Sequence, residues 1–317
     1  MTEKIEIPNC ELYIGDCLEV MKNMPDQSIQ CCVTSPPYYG LRNYGVEGQI
    51  GLEETPKLYI NKLVQVFHEL KRIMRDDGTL WLNLGDSYAG SGKGIGSDHG
   101  RAMITDETIG KKMPMPEGLK PKDLIGIPFM VAFALRDDGW YLRSDIIWAK
   151  SNLMPESVRD RPTKSHEYIF LLSKSEKYYY DYEAILEPAN YDGRKDTIFK
   201  GSIKYNNGGG ERWANKINMK NGNEIPARNK RSVWFINTEP FHEAHFAVMP
   251  EKLVEPCIKA GTKPGDIVID PFNGAGTVGA VSVKNDRKYI GIDLNRSYIM
   301  DISIKRIKYA QQQMKLF

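Results

Sequence analysis

What the sequence lacks excludes several roles at once. No apolar run approaches the roughly 20 residues that cross a bilayer, so a membrane role is not expected. The amino-terminal stretch MTEKIEIPNCELYIGD has no basic start, apolar core or small-residue cleavage site of a secretory signal, and a cytoplasmic location is the expectation. Cysteine is scarce and poorly spaced for either of its structural uses. The five present (Cys10, Cys17, Cys31, Cys32 and Cys257) are odd in number and form no C-x-x-C pair, which suits neither a disulfide framework nor a zinc site. Excess charge is also missing: 43 Lys and Arg against 41 Asp and Glu leave +2, too little to point to nucleic acid through net charge. Any basic surface has to be local.

What is present is the text of an α/β protein. The 317 residues, 41% hydrophobic and 26% charged, suffice for one large domain with an insertion. QCCVTS reads as a strand, TPKLYINKLVQVFHELKRIMRDDG as an amphipathic helix ending at Gly78, and TLWLNLG as a buried strand. Residues 86–121 are rich in Gly, Ser and Lys and read as a mobile surface loop. A helix over DLIGIPFMVAFALRDDG and strands in YLRSDIIWAK and HEYIFLLSKS follow. Between Asn190 and Arg231 ten Lys or Arg stand against four Asp or Glu, a locally basic insertion. The last block returns to α/β text, with helix MPEKLVEPCIKAG, strand DIVID, a glycine turn, a helix, strand RKYIGID and a closing amphipathic helix.

DIVIDPFNGAGTVGAVSV has the layout of a nucleotide-binding turn: a buried strand, glycines that let the backbone approach a ligand, and a helix whose amino end faces it. Gly274, Gly276 and Gly279 satisfy G-x-G-x-x-G, and Asp293, at the tip of the next strand, is placed to accept from ribose hydroxyls. Both features suit a dinucleotide as well. Asp270 does not, because a carboxylate at the strand end favours a cationic amino-acid moiety over a pyrophosphate. Only 24 residues follow Asp293, too few for the remaining strands, so the amino-terminal block is expected to complete the sheet.

Upstream, VTSPPYYG follows a strand at the edge where open α/β sheets hold substrates. Proline fixes φ and donates no main-chain hydrogen bond, so a Pro-Pro step holds nearby carbonyls outward as acceptors. The Ser35 hydroxyl and the Pro36 carbonyl can together accept from an exocyclic amino group and aim its lone pair at a methyl carbon, while Tyr38 can stack on the base.

With both motifs in hand, the chain resembles the β-class amino-group DNA methyltransferases, in which S/D/N-P-P-Y precedes a target-recognition region and D-P-F-x-G-x-G-T comes last. The resemblance covers nearly the whole chain. It implies a Rossmann-like S-adenosylmethionine-dependent fold with a mostly parallel sheet and circularly permuted motif order. It places the flipped target base at Ser35, Pro36, Pro37 and Tyr38. The cofactor S-adenosylmethionine falls to Asp270, Phe272, Gly274, Gly276 and Thr277, with Asp293 for the ribose and Asp16 for the adenine; Asp16 equally reads as the cap of a helix over CLEVMKNM. His245, Phe246, Glu251 and Lys252 are candidates beside the methionine part. Residues 1–189 form a catalytic half for the target base, 190–235 an inserted target-recognition region, and 236–317 a cofactor-binding half. Double-stranded DNA is the expected partner, a cognate restriction endonuclease is a candidate one, and the chain is expected as a monomer or homodimer.

Several other readings fail on details. His242 and His245 lack a third metal ligand, and no metal is expected. Cys257 follows Pro256 as in the ring-carbon cytosine enzymes, but within a helix, and reads as a core residue. Lys93 in GSGKGIG is followed by Gly94, which breaks the P-loop pattern. Serine at the head of the motif is typical of cytosine N4, and aspartate or asparagine of adenine N6, so N4 is expected with N6 as the alternative. Glutamine and RNA methyltransferases carry their motifs in the opposite order. A non-catalytic scaffold would have eroded motifs, and both are intact.

Overall fold

In a computed structural model of the protein, the described residues are 2–41, 43–90, 118–153, 156–188, 217–220, 223–239 and 248–314. They fall into two units, Met1–Tyr180 with Ser232–Phe317, and Asp181–Arg231.

The larger unit is built on a nine-stranded sheet. In chain order its strands are β1 (Glu3–Ile7), β2 (Cys10–Ile14), β3 (Ile29–Thr34), β4 (Met74–Leu84), β5 (Tyr141–Ala149) and β6 (His166–Ser173). Then, after three strands of the second unit, β7 (Glu187–Pro188), β8 (Ile217–Lys220) and β9 (Asn223–Arg228), come β10 (Val233–Phe235), β11 (Ile267–Asp270) and β12 (Lys288–Asp293). The order across the sheet is β1-β2-β12-β11-β3-β4-β6-β5-β10. Strands β2, β12, β11, β3 and β4 run parallel, whereas β6 lies antiparallel between β4 and β5. The carboxyl-terminal strands β11 and β12 are thus filed between β2 and β3, and the expected permutation is visible as topology.

Strand β3 is buried along its whole length, as a central parallel strand covered on both faces must be. Alternation then assigns the faces. Cys32, Leu80, Leu82, Ile269 and Ile292 pack with α1 (Cys17–Lys22), α2 (Pro56–Ile73) and α3 (Ile127–Asp137). On the other side Cys31, Thr79 and Trp81 approach Gly261 at the end of α4 (Glu251–Gly261), which neighbours α5 (Thr277–Lys284), and that in turn α6 (Ile304–Met314).

Two boundaries differ from the sequence reading. Helix α2 ends at Ile73, five residues before Gly78, because Met74 turns extended (φ −75°, ψ 145°) and pairs with Ile29 as the first residue of β4. Helix α3 starts only at Ile127: Gly126 adopts φ +84°, and Asp86 accepts from the amides of Gly126 and Ile127 (3.0 and 3.1 Å), capping the helix from the end of β4. The expected mobile loop 86–121 is therefore anchored at its flanks, with the Ala89 amide donating to Asp123 O at 2.8 Å, while its residues 91–117, including Lys93, lie outside the described residues.

In the second unit β9 pairs antiparallel with β7 and β8. Glu187 accepts from Arg228 (2.9 Å) and Arg231 (2.6 Å) and sits below the ordinary carboxylate range through those two cations, against the opposing effect of its own burial. Residues 190–216, 221 and 222 of the basic segment lie outside the described residues.

Candidate active site

Both sequence motifs end at the carboxyl edge of adjacent strands, at the point where the sheet order reverses. Strand β11 leads outward to β12 and β2, and β3 leads the other way to β4. A crevice forms at such a switch point in any open α/β sheet. Here it is a cavity of about 350 Å³. A hydrogen bond joins its two sides: Thr34 Oγ1, at the end of β3, donates to Asp270 Oδ1, at the end of β11, at 2.7 Å across 236 residues of sequence.

The glycine-turn side is built from backbone and carboxylates. Asp270 is 2% exposed and also accepts from the Phe272 amide at 3.0 Å. Burial pushes its carboxyl up to about 7, the two hydrogen bonds oppose that shift, and the charge of Asp293 adds to it. Asp293 accepts from the Gly274 amide at 2.7 Å and the Asn295 amide at 2.8 Å, and burial raises it to about 6. It therefore shapes the glycine turn as well as facing the cavity. Gly274 and Gly276 have φ of +48° and +71°, and a Cβ at Gly276 would strike Ser303. Thr277 begins α5 and accepts from Arg306 at 2.8 Å. Asp16 is the cap of α1, its Oδ1 accepting from the Glu19 amide at 3.0 Å, and it also lines the cavity.

The Ser35–Tyr38 side is built from side chains. Ser35, Pro36, Pro37 and Tyr38 all line the cavity. Pro37 O already accepts from the buried Tyr59 hydroxyl at 2.9 Å, so it is spent in holding the turn. The Tyr38 ring lies close enough to Gly85 that a Cβ there would come within 2.6 Å of it. Its hydroxyl reaches Glu167 Oε2 at 2.7 Å and Asn83 Oδ1 at 3.1 Å. Asn83, Trp148, Lys150 and Glu167 share the cavity wall, and the sequence reading singled out none of them. The polar residues in WLNLGD and in IIWAK and HEYIF, interrupting otherwise apolar strands, were the available signal.

Some candidates fall elsewhere. Glu251 pairs with Lys284 (2.7 Å) and Arg306 (3.3 Å), and Lys252 with Glu239 (3.5 Å); neither lines the cavity, whose wall at that point is Val248 and Met249. Cys257 is 1% exposed within α4. His242, His245 and Phe246 lie outside the described residues.

The family model N6_N4_Mtase, a DNA methylase, matches residues 29–305. The chain belongs to this DNA methylase family. The methylase is 48% identical over 311 residues to the Type II methyltransferase M.Cfr9I of Citrobacter freundii, covering 97% of this chain and 90% of that one. It is 47% identical over 294 residues to M.SmaI of Serratia marcescens, covering 92% and 88%. Among solved structures, the PvuII DNA methyltransferase (cytosine-N4-specific) superposes with a TM-score of 0.60 at 19% identity, over 96% of this chain and 92% of that. A putative DNA modification methylase from Thermus thermophilus, complexed with S-adenosyl-L-methionine, gives 0.56 at 22% identity, over 95% of each. The fold of the methylase is the Rossmann-like methyltransferase fold, and its methyl donor is S-adenosylmethionine.

The chemistry of the glycine-turn side suits that donor. Burial without a countercharge is what raises Asp270 and Asp293; beside Asp270 a sulfonium or ammonium group would supply the missing positive charge, whereas a pyrophosphate would add repulsion.

Proposed function

We propose that the methylase transfers a methyl group to the N4 amino group of a cytosine flipped out of double-stranded DNA, in the cytoplasm, as the modification partner of a restriction endonuclease. The observation that carries this reading is Ser35: a hydroxyl, not a carboxylate, heads the motif that faces the cavity shared with Asp270 and Asp293. Extrusion is needed because the amino nitrogen of a stacked, paired base is out of reach. In this reading Ser35 Oγ and Pro36 O accept from the two N4 hydrogens and hold the nitrogen lone pair toward the methyl carbon. S-adenosylmethionine supplies an electrophilic methyl group on a cationic sulfur. Asp270, Phe272, Gly274, Gly276, Thr277 and Asp293 hold its amino-acid and ribose parts, and Asp16 the adenine.

The relatives support the wider setting: several are named Type II methyltransferases, and one structural neighbour is named cytosine-N4-specific. The insertion 190–235, most of which falls within the unit Asp181–Arg231, is proposed as the target-recognition region, its Lys and Arg gripping phosphates. The test is product identity. Incubation with labelled S-adenosylmethionine and DNA, followed by nucleoside digestion and mass spectrometry, is expected to give N4-methylcytosine; N6-methyladenine as the sole product overturns the choice of base.

A further inference from the structure

A carboxylate heading the motif can only accept hydrogen bonds, but a hydroxyl can donate or accept. Serine at position 35 therefore needs something to commit its proton away from the base, or it can meet the amino group with the wrong polarity. The structure provides that direction. Ser35 Oγ donates to the Tyr38 hydroxyl at 3.4 Å, and Tyr38 donates to Glu167 Oε2 at 2.7 Å. The Tyr38 phenol, raised far above its ordinary value by burial and then by the Glu167 charge, keeps its single proton. That proton goes to the nearer anion and not to the neutral Asn83 Oδ1 at 3.1 Å, which leaves the phenol oxygen free to accept from Ser35.

Glu167 is itself held in place. Its Oε1 forms an ion pair with Lys150, whose side chain is only 10% exposed and whose Nζ sits 4.0 Å from the Trp148 ring centroid. Asn83 Nδ2 donates to Glu167 Oε2 at 3.2 Å and to Tyr168 O at 3.1 Å. Asn83 from β4 and Glu167 from β6 reach the Tyr38 hydroxyl, while Lys150, just past β5, holds Glu167 and Trp148 of β5 lies against Lys150.

We propose that Glu167 is a positioning residue that acts through Tyr38, turning the Ser35 hydroxyl into an acceptor for the target amino group and receiving the proton that methylation releases. The proposal rests on the reading above that Ser35 meets the amino group. As the nitrogen–methyl bond forms, the methyl–sulfur bond breaks and its electron pair stays on sulfur. The amino group, now positive, gives a proton to Ser35 Oγ, Ser35 gives its own to Tyr38, and Tyr38 gives its own to Glu167, which later loses it to solvent. The 3.4 Å step is the long one, and such contacts tighten when substrate is bound.

The experiment is single-turnover methyl transfer to DNA by Glu167→Gln, Tyr38→Phe and the double variant, with donor affinity by calorimetry and thermal midpoints alongside. Glu167→Gln is expected to lower the transfer rate at least about tenfold, with donor Kd and DNA KM within about twofold of wild type. The double variant is expected to be no slower than the slower single, since both break one chain. Full rate in Glu167→Gln, or losses that multiply in the double variant, overturns the proposal. Because Glu167→Gln strands a buried ammonium, Glu167→Gln with Lys150→Met is run in parallel; it is expected to fold and show the same rate loss, and full rate there overturns the proposal equally. Product nucleosides from the same wild-type reactions keep the two readings apart: N6-methyladenine would overturn the choice of base, whereas an unchanged variant rate would overturn the role of Glu167.

Discussion

The two sides of the cavity solve their tasks with different materials. The proposed cofactor side is one continuous stretch, Asp270 to Thr277, plus the tip of the next strand, and its polar groups are backbone amides and two carboxylates starved of positive charge. The proposed target side draws Ser35 and Tyr38 from the end of β3, Asn83 from β4, Lys150 from just past β5 and Glu167 from β6, and links them by side-chain hydrogen bonds. A site made from backbone is tuned by charge and conformation; a site made from side chains is tuned by proton direction. Substitutions on the two sides should therefore fail differently, one in binding and the other in turnover.

The largest separation is expected at Ser35. Ser35→Ala removes an acceptor without opening the fold, and single-turnover assays should find methyl transfer slower by about 10²–10³-fold, as for loss of one preorganised hydrogen-bonding group in an active site. Calorimetry should find donor affinity unchanged. A variant that loses donor binding as much as rate would erase the division between the two sides. The reverse pattern is expected at Gly276. A side chain there faces both a left-handed φ of +71° and a collision with Ser303, so Gly276→Ala should lower stability by about 2–4 kcal/mol and donor affinity with it, read by thermal melts with and without S-adenosylmethionine.

The same contrast explains what could be read from the sequence. Asp270, Gly274, Gly276 and Thr277 are legible because their geometry is local: a strand, a turn and a helix written consecutively, in which each residue type answers a constraint of its neighbours. Thr34 to Tyr38 is legible for the same reason. Glu167 and Lys150 are not, because their meaning depends on β6 running antiparallel between β4 and β5, an arrangement that neither periodicity nor composition encodes. The early end of α2 was missed through the same kind of tertiary override: Met74 continues a helical pattern but is claimed by pairing with Ile29. Glu251 does begin a helix beside the glycine turn, as the sequence implies, yet Lys284 and Arg306 draw it into ion pairs away from the cavity.

A smaller effect, with opposite signs in two measurements, is expected for Asp270→Asn. The amide oxygen can still accept from Thr34 and the Phe272 amide, but the buried charge is gone. Because the folded carboxyl titrates near 7, above its ordinary value of 3.8, ionising it opposes folding: wild-type stability falls as pH rises from about 4 to 7 and the loss is complete above that. At about pH 8 Asp270→Asn should accordingly be more stable in the absence of donor, by on the order of 1–3 kcal/mol, while binding S-adenosylmethionine about 10–100-fold more weakly. Stability and affinity both falling would mean that Asp270 is not starved of countercharge.

The smallest effect tests the Thr34–Asp270 hydrogen bond that crosses between the sides. If the cationic donor prefers ionised Asp270, its affinity is full above about pH 7 and weakens as pH falls through the carboxyl's value, by up to about tenfold per pH unit, and binding at about pH 6.5 releases protons that calorimetry in buffers of different ionisation enthalpy will count. Thr34 lowers that value by donating to the carboxylate. Thr34→Val keeps the shape and deletes the donor, so the midpoint of the affinity profile should move upward by less than about one pH unit, while Thr34→Ser leaves it in place. A profile that ignores Thr34→Val would separate the two motifs electrostatically, and their contact would then be packing alone.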